Sequence, residues 1–141
     1  MRWLRNVIIQ WEPIMTMSKN KNLNLNENSL RIQELKNLMN LYDKGDYENV
    51  IKKGKKFVIR NNYLYQGHIL IADSYLFTKN YDLALTSYLN ALELNKNYHQ
   101  VAHNIATIYK IKIKYDLAEK YYLFSISINV KFLPSYNNLC S

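Results

Sequence analysis

The feature that most constrains this 141-residue chain is that it matches itself. Tyr81-Asp82-Leu83-Ala84 recurs 34 positions later as Tyr115-Asp116-Leu117-Ala118. Laying residues 65–98 on 99–132 without gaps also pairs Gln66 with Gln100, Ile71 with Ile105, Ala72 with Ala106, Tyr75 with Tyr109, Tyr88 with Tyr122, Leu89 with Leu123 and Asn95 with Asn129. Those are eleven identities, where chance supplies ~2, and a period of this length marks a chain of stacked supersecondary units.

Spacing says what each unit is. In 65–79, Ile71, Ala72, Tyr75 and Leu76, with His68 in part, recur three and four apart, which is helical. Lys79-Asn80 interrupts the pattern, and Asn80 is suited to cap the next helix. In 81–94, Tyr81, Ala84, Leu85, Tyr88, Ala91 and Leu92 are helically spaced again. Small Ala72 and Ala84 let two helices approach closely. Each unit is therefore a helix hairpin that must stack to cover its apolar faces.

These residues resemble the tetratricopeptide repeat, a 34-residue helix pair with the pattern W-x2-L-G-x2-Y, A-x3-F, P. His68, Ile71, Ala72, Tyr75, Ala84 and Tyr88 fit that register, as do Ala102, Ile105, Ala106, Tyr109, Ala118 and Tyr122. Lys96 and Val130 stand where the proline belongs. Upstream, Lys44-Gly45-Asp46-Tyr47-Glu48-Asn49-Val50 lies 34 before the Tyr81 block, with Gly45 as a helix-ending residue and Asp46 as a cap. Leu35, Leu38, Met39 and Tyr42 form the face of the helix before it and read as one residue out of step, so that turn is expected to be one residue shorter. Gly54 replaces the tyrosine of positions 88 and 122, a weak spot in a helix interior. The segment 133–141 reads as the opening of a further unit.

The expected fold is all-α: a solenoid of stacked antiparallel hairpins, with units at about 30–64, 65–98 and 99–132 and a partial one at 133–141. Residues 1–28 are read as a separate disordered or weakly helical lead, and 29–141 as the repeat domain, with Asn28 or Ser29 capping its first helix. Within the lead, Trp3, Leu4, Val7, Ile8 and Trp11 form one helical stripe, while Asn6, Gln10, Glu12 and Pro13 break every run a secretory signal would need. Residues 1–14 are open to two readings, an interfacial amphipathic helix or a stretch preceding the true start, which is then Met15 or Met17 rather than Met1. Residues 17–28 are too polar to offset ordering entropy. No apolar stretch is long enough to span a bilayer, so a cytoplasmic protein is expected.

Chemistry-bearing groups are sparse. The net charge is +8, but 15 Lys stand against 4 Arg among 19 Asn and 13 Tyr, a composition that A/T-rich codons produce unaided. Binding to nucleic acid or an acidic membrane is the third-ranked reading. The Lys52-Lys53-x-Lys55-Lys56 run shares a helix with Ile51, Phe57 and Val58 and reads as a solvated face. His99 and His103 are four apart but lack a third ligand, so no metal is expected; His68 reads as packed. Cys140 has no partner or nucleophile signature. With no phosphate-loop, dinucleotide or nucleophile-elbow motif, no catalytic residue and no cofactor are expected. The tyrosines at 47, 81 and 115, and at 75 and 109, read as core.

The resemblance implies a binding groove lined by the first helix of each unit. In that column Asn104 and Asn138 are 34 apart, and a carboxamide offers a donor and an acceptor to a peptide backbone; Leu70 interrupts the column, and the alternative is a solvated polar face. Gln66, Ile69, Asp73, Gln100, His103 and Thr107 are implied as groove-facing. The function expected is non-catalytic binding of a protein or peptide. The rival is a truncated, substrate-presenting fragment of a larger enzyme, such as a glycosyltransferase or sulfotransferase. The apolar residues Leu117, Ala118, Tyr121, Tyr122, Phe124, Ile126 and Ile128 on more than one side of the last full helix predict self-association through an open C-terminal end.

Overall fold

The computed structural model describes residues 25–140, and every regular element among them is helical. The elements are α1 (Leu25–Asp43), α2 (Tyr47–Arg60), α3 (Tyr65–Phe77), α4 (Tyr81–Leu94), α5 (His99–Ile111), α6 (Tyr115–Ile128) and α7 (Leu133–Cys140). Consecutive helices pack as hairpins, α1 on α2, α3 on α4 and α5 on α6, and each hairpin stacks on the next. The helix of 25–43 starts ahead of Asn28 and Ser29, so neither is a cap; Asn28 Oδ1 instead accepts from Arg31 Nη1 at 3.0 Å. The readings placed on residues 1–24 lie outside the described residues.

The phase of the repeat is written in the backbone. Gly45, Lys79 and Ile113, each 34 apart, all adopt positive φ, at +76°, +61° and +59°. Each ends the first helix of its hairpin with the same pair of hydrogen bonds: Asp46 N to Leu41 O, Asn80 N to Tyr75 O and Lys114 N to Tyr109 O, beside Gly45 N to Tyr42 O, Lys79 N to Leu76 O and Ile113 N to Lys110 O. This left-handed stop satisfies carbonyls that the helix end would orphan. Glycine adopts it without a Cβ clash; lysine and isoleucine do so under strain.

The same bonds correct the expected one-residue shift in the first unit. All three hairpin turns are three residues long. The sequence looks shifted because Leu38 and Val50 occupy the places of Ala72 and Ala84, and large residues there blur the small-residue signature. Asp46 caps α2 as expected, its Oδ1 accepting from Asn49 N at 3.3 Å and its Oδ2 from Asn49 Nδ2 at 2.8 Å. Asn80 makes no side-chain cap; its Nδ2 donates to Thr78 Oγ1 at 2.9 Å.

The core runs through the stack. Ala72, Ala84, Tyr88, Ala91, Val101, Ile105 and Ile108 form its centre, with Leu35, Leu38, Val50, Phe57 and Leu70 at one end and Ala106, Ala118 and Tyr122 at the other. Gly54 is a point of close approach rather than a weak spot: a Cβ there would lie 2.8 Å from Ile71 Cγ1. Gly67 answers it from α3, where a Cβ would lie 2.8 Å from Val58 Cγ1 and 2.9 Å from Phe57 Cδ1. The tyrosine column is core only in part. Tyr47 stacks on Phe77 of the next hairpin at 5.2 Å and 7°, and Tyr81 packs against the central core, but Tyr115 is exposed. No described residue stands to Tyr115 as Phe77 stands to Tyr47.

Candidate functional site

The first helices of successive hairpins, α1, α3 and α5, bound a groove of about 340 Å³. Tyr42 enters from α1, Ile69, Asp73, Leu76 and Phe77 from α3, and Gln100, Val101, His103 and Asn104 from α5. Tyr98 and Phe132, from the turns before α5 and α7, complete it. Of the residues implied by sequence, Ile69, Asp73, Gln100, His103 and Asn104 are brought together here.

The floor is a hydrogen-bonded chain. Asn104 Nδ2 donates to Tyr88 Oη at 3.2 Å, and Tyr88 Oη donates to Asp73 Oδ1. Tyr88 is fully buried and Asp73 is 6% exposed. Burial pushes the Tyr88, Tyr42 and Tyr98 phenols well above their ordinary range, and the Asp73 charge pushes each further. All three are neutral at physiological pH. Asn104 is thus half-buried with its donor engaged inside the protein.

The next hairpin repeats the arrangement with a neutral partner. Thr107 Oγ1 donates to His103 O at 3.0 Å, so its one proton is spent, and the 3.1 Å contact with Tyr122 Oη has the tyrosine as donor. Thr107 therefore stands to Tyr122 as Asp73 stands to Tyr88, and is turned to that bond rather than lining the groove. His103 is fixed by a second chain. Ser125 Oγ donates to His99 O at 2.8 Å and Ser135 Oγ to Ser125 Oγ at 2.9 Å, which leaves His103 Nδ1–H to donate to Ser135 Oγ at 2.9 Å. Phe132 lies edge-on to both His99 and His103, at 4.7 and 5.2 Å. Burial lowers the His103 and His99 pKa below the ordinary imidazole value, with the charge on His99 a second cause at His103.

Two more implied residues, besides Thr107, fall elsewhere. Gln66 is buried in the first turn of α3, away from the groove lining, and both carboxamide atoms lack a hydrogen-bond partner among the described residues. Asn138 lines a separate depression with Lys110, Tyr115, Glu119 and Tyr122, and its carbonyl accepts from Lys110 Nζ at 3.3 Å. Of the aromatic walls, Tyr42 reads from sequence as part of a packing face, and Phe77, Tyr98 and Phe132 are not singled out there. The signal was present as aromatics at 98 and 132, 34 apart, but an aromatic at repeat spacing equally describes core. The lysine run of α2 faces solvent as expected. Among the described residues no group of three or more His, Cys, Asp or Glu is placed to hold a metal, and no helix is long and apolar enough to cross a membrane.

Solved structures with this arrangement share its repeat. MamA superposes with a TM-score of 0.74 over 92% of this chain and 70% of its own, at 19% identity. The fold is that of the tetratricopeptide repeat. The first tetratricopeptide domain of Spaghetti (RPAP3), solved bound to the HSP90 peptide SRMEEVD, gives a TM-score of 0.74 over 78% of this chain and 87% of its own, at 17% identity. The Yersinia enterocolitica type III secretion chaperone SycD, solved with a peptide of the translocator YopD, gives 0.71 over 83% of this chain and 88% of its own, at 18% identity. No family model and no curated protein matches the chain. At these identities the likeness is one of tetratricopeptide fold.

Proposed function

We propose that this chain is a non-catalytic interaction module that binds a protein or peptide segment along the groove between α1, α3 and α5. The observation that carries the reading is the groove's lining: four aromatic rings beside the polar groups of Asp73, Gln100, His103 and Asn104. Large rings give contact area at low conformational cost, and a few fixed polar groups orient what is bound. Two proteins of the same fold were solved with peptides bound, which supports the reading by analogy of fold.

The test is capture of partners by the full chain, cross-linking to locate the bound segment, and calorimetry on that segment. Phe77→Ala and Gln100→Ala, both at accessible groove positions, are expected to weaken binding by about 1 kcal/mol or more. Lys52→Ala, on the solvated face of α2, is expected to leave it unchanged. A segment that cross-links to the lysine face and ignores both groove variants sinks the proposal.

A second contact is proposed at the other end of the stack. Tyr115, Leu117, Leu123 and Phe124 are exposed along α6, and exposed apolar groups on one helix promote association. Sedimentation across a concentration series is expected to show self-association; a monomer throughout refutes it.

A further inference from the structure

The tyrosine hydroxyls at positions 88 and 122 face the same structural task, and the protein meets it in two ways. Thr107 accepts from Tyr122 without any charge. Asp73 accepts from Tyr88 with a carboxylate that is almost wholly buried. Burying a charge is costly, and the threonine shows that packing does not require one. The charge at position 73 lies on the groove, in the wall nearest Tyr42 and Tyr98, whose phenols feel it. Among the described residues that line the groove, none is Lys or Arg. His103, held neutral at pH 7 by burial, brings no competing cation. Tyr42, Phe77, Tyr98 and Phe132 line the same groove, and ring faces attract cations.

We propose that the groove takes a lysine or arginine side chain of the bound segment, its charge set on the Asp73 carboxylate and its stem against the aromatic walls. This rests on the groove being the binding surface. A cation there gains a charge-assisted hydrogen bond inside a partly desolvated site, where it is worth more than in water. An acidic segment such as the SRMEEVD bound by RPAP3 would set carboxylates against Asp73, so this groove selects the opposite charge.

The experiment uses the full chain and four pools of tagged nonapeptides blocked at both ends. Their central residue is fixed as Lys, Arg, Glu or norleucine, and the other positions are degenerate over uncharged residues. Fluorescence anisotropy at physiological salt is expected to show the Lys and Arg pools binding roughly tenfold more tightly than norleucine, with Glu weakest. The net charge of +8 favours the Glu pool at long range, so a preference for cations reports the groove itself. Asp73→Thr, which installs the next hairpin's own solution, is expected to reduce Lys and Arg to the norleucine level. Should that variant fail to fold by circular dichroism, Gln100→Lys, on the groove wall, is expected to do the same.

Equal binding of all four pools, or preference for Glu, overturns the cation proposal while leaving the groove reading intact, provided Phe77→Ala still weakens the binding. Binding by no pool overturns both. A cation preference that survives both Asp73→Thr and Gln100→Lys overturns the assignment to Asp73.

Discussion

Two junctions in this stack solve the same geometric problem with opposite materials. Where α2 meets α3, position 54 is glycine, Ile71 fills the space its Cβ would need, and the neighbouring columns carry Met39 and Leu70. Where α4 meets α5, the equivalent positions are Tyr88, Asp73 and Asn104, joined by hydrogen bonds. The columns change together. Without a tyrosine hydroxyl to satisfy, the first junction has no use for a polar partner and closes as an apolar contact. With one, the second must supply an acceptor, because an unpaired buried hydroxyl is costly. Only the polar solution leaves a charge on the groove, so the junction that gives up apolar packing is the one that acquires recognition chemistry.

The comparison can be broken at either end. Tyr88→Ala removes a fully buried ring and is expected to cost about 3–5 kcal/mol in urea unfolding. Tyr88→Phe keeps the ring and strips the hydroxyl from both Asp73 and Asn104, for about 1–3 kcal/mol. Tyr122→Phe loses a neutral bond to Thr107 and is expected to cost less, about 0.5–1.5 kcal/mol. Equal costs for the two phenylalanine variants would show that the charged acceptor matters no more than the neutral one. At the apolar junction, Gly54→Ala pushes a methyl against Ile71 and is expected to destabilise by about 1 kcal/mol, despite alanine's better helix propensity. A midpoint that rises instead means the junction is slack.

Smaller effects come from the hairpin turns. Ile113 holds a positive φ with an exposed, β-branched side chain, so Ile113→Gly is expected to stabilise by up to about 1 kcal/mol, and Lys79→Gly by less. Gly45→Ala, at the one turn that already has its best residue, is expected to destabilise. Least in size, and argued for direction alone, is the effect of pH. Burial holds His68, His99 and His103 below their ordinary pKa. The unfolded chain takes up protons near pH 6.5, where the native state still resists them. Stability is therefore full above about pH 7 and falls as pH drops through 6.5. Since none of the three histidines lies in α1 or α2, hydrogen exchange at pH 5.5 is expected to rise in α5–α7 before α1–α2; uniform loss of protection would count against this.

How far the site was legible follows from helix geometry. Asp73, Gln100, His103 and Asn104 could be named because the resemblance to the tetratricopeptide repeat implies which face of each first helix lines a groove, and the 34-residue period carries that face from one unit to the next. Gln66 occupies the same column as Gln100 yet is buried, because the helix that precedes it packs differently: Gly67 draws Phe57 and Val58 onto the first turn of α3. Asn138 shares its column with Asn104 but faces another depression, and no helix follows α7 among the described residues. Tyr42, Phe77, Tyr98 and Phe132 could not be separated from core aromatics, because period alone says which residues share a face and not which face is left uncovered.

The amino-acid sequence by itself determined the hairpin, its period and the small residues at 72, 84, 106 and 118 where paired helices touch. Those are local or nearest-neighbour properties, set by side-chain volume and backbone preference within one repeat. The tertiary structure decided what the sequence could not express: that the glycine at 54 is a close contact, that Asn104 is tied to Tyr88, and that a buried carboxylate opens onto a ring-lined groove. Each depends on helices of different hairpins meeting, and such a meeting has no counterpart in the spacing of residues along one chain.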